Sequence, residues 1–222
     1  MKEPCKPVLV NDNLYFVGVF DEEIRTFDII MKTANGSSYN AYLLKTDEGV
    51  ILFDTVKVEF EEQYFKNIES LCKYEDIKYV IIHHLEPDHS GALPELMRRI
   101  PKAKVIISAQ AQLMLKALVQ SEDIDFEMMW TGKSLTLGCK TIEFLSTPYL
   151  HWPETMSSYL VENKTLFSGD VFGSHFYDKR LFNNKVGDFD YAFKYYYDHI
   201  MRPFKKYVLT ALNLYAKKIS SL

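Results

Sequence analysis

His83-His84-Leu85-Glu86-Pro87-Asp88-His89-Ser90-Gly91 follows the apolar run Tyr79-Val80-Ile81-Ile82 and precedes a helical pattern over Gly91–Ile100. A polar loop at the end of a buried strand is where a rigid sheet can aim several side chains at one point. His, Glu and Asp are all metal ligands. Crowding His83, His84, Glu86, Asp88 and His89 into seven residues is electrostatically costly without a cation to compensate them. The alternative, a solvated polar loop, needs no such ion.

Working outward, the opening third reads as strands. Asn13–Phe20 holds Leu14-Tyr15-Phe16-Val17-Gly18-Val19-Phe20, rich in aromatic and β-branched residues. Tyr39–Lys45 and Gly49–Phe53 flank Thr46-Asp47-Glu48, which reads as a hairpin turn. Val58–Cys72 carries apolar residues at mostly helical spacing. Ser90 is a plausible N-cap for the helix Gly91–Ile100. Lys104–Ser108 reads as a strand, and Ala109–Val119 as a helix bearing Leu113, Leu115, Leu118 and Val119. Short strands follow at Ser134–Leu137, Thr141–Ser146, Ser157–Val161 and Thr165–Phe167. From Phe189 onward the pattern is helical, with Pro203 expected to kink or divide it. The order strands, mixed α/β, strands, helix fits two packed sheets covered by helices better than a doubly wound single sheet.

The 222 residues predict a single domain spanning 1–222. With 47% apolar residues, the chain can build a sizeable core. A net charge of −4 disfavours nucleic acid as a partner. No apolar run approaches the roughly 20 residues that a bilayer span needs. The N-terminus Met1–Asn13 lacks the apolar segment of a secretory signal. Cys5, Cys72 and Cys139 form no close pair, as in proteins of a reducing compartment. Together these readings predict a cytoplasmic location.

Two further polar positions end strands. His151 lies in Thr147-Pro148-Tyr149-Leu150-His151-Trp152-Pro153-Glu154-Thr155, after the strand Thr141–Ser146. Asp170 lies in Ser168-Gly169-Asp170-Val171-Phe172-Gly173, after Thr165–Phe167. The ordered set His-x-Glu-x-Asp-His, then His151, then Asp170 resembles the metal-binding pattern of flavodiiron proteins, members of the metallo-β-lactamase superfamily. The flanks agree: Tyr39-Asn40-Ala41-Tyr42, Asp88-His89-Ser90-Gly91, Leu150-His151-Trp152-Pro153 and Gly169-Asp170-Val171-Phe172-Gly173.

The resemblance implies an α/β fold, an αββα four-layer sandwich of metallo-β-lactamase type. It implies two iron ions: His84, Glu86 and His151 on the first, Asp88 and His89 on the second, and Asp170 bridging both. Hydrolases of the superfamily usually have histidine where this chain has Glu86. Three carboxylates make a harder donor set, suited to iron or manganese rather than zinc. The family pattern carries one more ligand histidine, which would fall past Leu222. A continuation holding a last strand, a helix and that histidine is therefore expected. Flavodiiron proteins also carry a flavodoxin domain with FMN, and no stretch of this chain matches one.

Three functions follow as expectations. The leading one is a di-iron protein that binds O₂, as a peroxo adduct, and signals as an oxygen or iron sensor through a partner such as a chemoreceptor system. The alternative is an O₂ or NO reductase of flavodiiron type fed by an external flavoprotein. The third is a zinc hydrolase, against which Glu86 argues. The sensor reading rests on electron count, since O₂ reduction needs four electrons and two ferrous ions hold two. A homodimer is expected as well. His83 and His175 read either as donors beside the ligands or as polar surface, Tyr195–Tyr197 as helix packing or a tyrosine near the metals, and Trp152 as core or pocket wall.

Overall fold

The computed structural model describes residues 5–28, 31–121 and 123–220. The ends of the chain on which the signal and C-terminal readings partly rest, residues 1–4 and 221–222, lie outside them. The strands run β1 Val8–Asn11, β2 Leu14–Phe16, β3 Val19–Asp21, β4 Thr26–Phe27, β5 Met31–Lys32, β6 Ser37–Tyr39, β7 Tyr42–Lys45 and β8 Val50–Phe53. They continue with β9 Ile77–Ile81, β10 Lys104–Ser108, β11 Phe126–Met129, β12 Ser134–Leu137, β13 Lys140–Ser146, β14 Met156–Leu160 and β15 Thr165–Phe167. The helices are α1 Glu61–Glu69, α2 Pro87–Ser90, α3 Leu93–Arg99, α4 Gln112–Val119, α5 Asp190–Tyr196 and α6 Lys205–Ser220.

Seven strands form one sheet in the order β1-β2-β7-β8-β9-β10-β11, and β12–β15 form a second, antiparallel sheet. The first half of the large sheet is antiparallel, through the β7–β8 hairpin that Thr46–Glu48 predicts. From β8 to β11 the pairing is parallel, and the crossovers pass through α1, α3 and α4. Every residue of β8 is buried, as a central strand covered on both faces requires. Ile51 and Phe53 join Ile81, Ile106, Phe144 and Phe167 between the sheets. Val50 and Leu52 face the other way, with Tyr64, Phe65, Ile68, Leu93, Leu96 and Leu115 of the helices. On the far side α6 covers the second sheet, where Tyr215 hydrogen-bonds Ser157 at 2.6 Å. The layers are α, β, β, α, the metallo-β-lactamase arrangement expected.

Several local expectations are corrected. The strand Asn13–Phe20 is two strands in different sheets, preceded by an unforeseen β1. Gly18 breaks it: a Cβ there would lie 2.1 Å from the Tyr39 carbonyl, so only glycine lets the two segments cross. The same crossing splits Tyr39–Lys45 into β6 and β7. Ser90 is not an N-cap. It sits inside α2, and its hydroxyl donates to the Leu85 and Glu86 carbonyls at 2.8 and 3.0 Å, tying the polar loop to itself. Leu113 is 81% exposed, so α4 buries Leu115 and packs Leu118 and Val119 but not Leu113. Pro203 does divide the last helix, within the turn Arg202–Phe204.

The stacked pair Phe53–Phe167, with ring centroids 4.1 Å apart, joins the two sheets directly beneath the polar loops. Phe53→Ala is expected to destabilise the protein by about 3–5 kcal/mol, whereas Leu113→Ala should stay within about 0.5 kcal/mol. Urea unfolding of both variants checks this, and equal small effects would contradict the two-sheet core.

Candidate metal centre

The ends of β9, β13 and β15 converge on one edge of the sandwich. Ligand atoms of His84, Glu86, His151 and Asp170 lie within 4.8 Å of one another. Glu86 Oε2 accepts from His151 Nε2 at 2.8 Å and from His84 Nε2 at 3.1 Å. Asp170 Oδ2 lies 3.8 Å from His84 Nε2 and 3.7 Å from His151 Nε2. Its other oxygen, Oδ1, accepts from His89 Nε2 at 2.9 Å. Asp88 Oδ2 is 3.7 Å from the same nitrogen. Asp170 thus turns one oxygen to each of two donor groups: His84, Glu86 and His151 on one side, Asp88 and His89 on the other. All six sequence-predicted residues are brought together.

Carboxylates outside this set aim the imidazoles. Glu154 Oε1 accepts from His84 Nδ1 at 2.7 Å and from the Leu85 amide at 3.1 Å. This leaves His84 Nε2 as the nitrogen facing the cluster. Asp54 takes the His83 amide on Oδ1 at 2.7 Å and His83 Nδ1 on Oδ2 at 3.0 Å. Its Oδ2 also lies 3.5 Å from His89 Nδ1, which turns His89 Nε2 toward Asp170. Ser158 donates to His83 Nε2 at 2.8 Å, so His83 is a buried strut rather than polar surface. Trp152 forms a wall, its indole edge-on to His84 with centroids 5.1 Å apart. Of the three tyrosines, Tyr196 is buried and reaches Asp170 with its hydroxyl. Asp28, from the segment after β4, reaches Glu86.

The electrostatics fit a cation. Burial favours a neutral His84, but the Glu154 and Glu86 carboxylates outweigh it and raise its pKa to about 9. Burial opposes ionisation of Asp170 too, yet His89, and then His84 and His151, hold it below the usual carboxylate range. Asp88 is pushed up to about 6 by burial and, against the pull of His89, by Asp170 and Glu86. Among the described residues its buried Oδ1 has no hydrogen-bond partner, nor has Glu154 Oε2. Protons therefore hold together a set of groups that a metal would bind in their place, and an orphaned carboxylate oxygen fits the same role. Two imidazoles and two carboxylates around one point, with a further carboxylate and imidazole beyond Asp170, match the N/O donor chemistry of iron.

Residues 38–222 match the family described as ODP family beta lactamase. The chain belongs to that family. It is the metallo-β-lactamase-like domain of flavodiiron proteins. It is 46% identical over 213 residues to the type A flavoprotein fprA of Rhodobacter capsulatus, covering 95% of this chain and 49% of the relative. It is 38% identical to the anaerobic nitric oxide reductase flavorubredoxin of Salmonella arizonae, over 90% of this chain and 43% of that protein. Its fold superposes on the rubredoxin oxygen:oxidoreductase of Desulfovibrio gigas with a TM-score of 0.91 and 31% identity, covering 96% of this chain and 53% of that one. The chain therefore spans about half the length of the curated relatives it matches.

Asp54, Glu154 and Asp28 carry no role in the sequence reading. Glu154 stands in the quoted His151 segment, and Asp54 ends the apolar run of β8, so position was the available signal for each.

If Glu154 fixes the ligand nitrogen of His84, Glu154→Gln should weaken Fe(II) or Mn(II) binding by about 10–100-fold. Binding must also displace the His84 proton, so apparent affinity should rise as pH is raised from neutrality toward about 9. Chelator competition across pH measures both. An unchanged affinity in the variant, or a flat pH profile, would contradict the assignment.

Proposed function

We propose that this chain is the di-iron core of an O₂ or NO reductase of flavodiiron type, fed with electrons by an external flavin or rubredoxin donor. The observation that carries the reading is Asp170, whose two oxygens face two separate donor groups 2.9 and 3.7–3.8 Å away. His84, Glu86 and His151 would hold one iron, Asp88 and His89 the second, and Asp170 both. Two irons so held would bind the diatomic substrate and pass electrons to it.

The protein's own groups prepare that chemistry. Glu154 and Asp54 fix ring orientation at His84 and His89. The Tyr196 hydroxyl and Asp170 meet beside a cavity of about 310 Å³ that Asp88, His89 and Phe167 also line. Trp152 stands edge-on to His84, and His84 and Glu86 are buried. Burial there strengthens the charge interactions between them.

The relatives support reduction over sensing. The Salmonella relative is named a nitric oxide reductase, and the Desulfovibrio structure an oxygen:oxidoreductase using rubredoxin. The sensor reading drew on electron supply, and a chain that spans half of its relatives says nothing about how electrons reach it. Glu86 within the cluster argues against the zinc hydrolase. No helix among the described residues is long and apolar enough to cross a membrane.

Iron-loaded protein supplied with excess reduced rubredoxin or flavodoxin should consume O₂ or NO over many turnovers, and Asp170→Ala should abolish this. Single-event O₂ uptake that stops despite excess donor would overturn the reductase in favour of the sensor.

A further inference from the structure

His175 lies outside the six candidate ligands. Its Nδ1 is 2.8 Å from Ser37 Oγ. Its ring is held between Phe27, with centroids 4.4 Å apart, and Tyr196, at 5.3 Å. Its other nitrogen, Nε2, is buried and has no hydrogen-bond partner among the described residues. The ring lines the same cavity as Asp88, His89, Asp170 and Tyr196. Leaving a buried polar group unpaired costs about 1–3 kcal/mol, so an orphaned nitrogen in a cavity wall points to a ligand that pairs with it.

Burial pushes the imidazole down to about 4, so it is neutral and carries one N–H. Ser37 can either donate to Nδ1 or accept from it. With Ser37 donating to Nδ1, the one imidazole proton sits on Nε2, the nitrogen left unpaired at the cavity. The aromatic clamp fixes the ring plane, and the hydroxyl fixes the tautomer.

We propose that His175 Nε2–H donates a hydrogen bond to the outer atom of a diatomic ligand, O₂ or NO, bound in this cavity, with Ser37 as the residue that positions it. This rests on the reductase reading of the same site for the identity of the ligand. No covalent bond changes at His175. The contact stabilises charge that builds up on the outer atom as electrons arrive.

NO on reduced, iron-loaded protein is the probe, and its N–O stretch in H₂O and D₂O is the readout. In the unaltered protein the stretch should shift between the two solvents. In His175→Phe it should move to higher frequency, lose the solvent shift, and accompany NO release about tenfold faster, equivalent to about 1.4 kcal/mol. His175→Gln keeps an N–H and should restore part of the shift. An identical stretch and solvent shift in His175→Phe with full iron content would overturn the proposal and leave His175 a packing residue. Should His175→Phe lose iron, Ser37→Ala decides, since it retains the imidazole and frees the tautomer: a spectrum unchanged from the unaltered protein overturns the proposal. Protein that shows these effects with NO but turns over nothing with a donor would overturn the reductase reading and leave the His175 contact standing. Protein that binds no NO would overturn both.

Discussion

The position of one carboxylate organises this structure. Asp170 sits between two groups of donors, one oxygen toward His84 and His151, the other toward His89. A buried carboxylate needs compensating positive charge or hydrogen bonds on each oxygen. Here both come from imidazoles carried by other strand ends. Two of them, His84 and His89, are in turn aimed by Glu154 and Asp54. The sandwich supplies the rigidity: three strand ends from two sheets meet at one edge, locked beneath by the Phe53–Phe167 stack. A loop displaced there would leave a charge without its partner.

The sequence made some of this legible and not the rest, for physical reasons. Lys104–Ser108, Ser134–Leu137 and Thr165–Phe167 form strands with the bounds expected, because short β-rich runs lie between clear breaks. The six ligand candidates were legible because their spacing along the chain is itself a pattern. Asn13–Phe20 failed as one strand because its break depends on a contact with Tyr39, remote in sequence. Ser90 failed as a cap because its hydroxyl turns back onto the loop that precedes it. Glu154 and Asp54 act on histidines 70 and 29 positions away, and no local pattern distinguishes such a carboxylate from a surface one.

Glu86 is the donor on which the iron and zinc readings of this site part. Glu86 accepts from both His84 and His151, so it occupies the centre of the first donor group rather than its edge. An anionic oxygen in that place favours a hard, redox-active ion over zinc. The second donor group faces the cavity that His175 and Tyr196 line. Trp152 stands edge-on to His84 of the first group, while the second group opens onto space for a small ligand.

The central claim is that Asp170 joins two metal positions. Iron K-edge X-ray absorption on anaerobically loaded protein tests it most directly. The account predicts two irons per chain and an iron–iron scattering path of about 3.5–4 Å, the spacing of paired metals sharing a bridging ligand. A single iron per chain with no iron–iron path would contradict it.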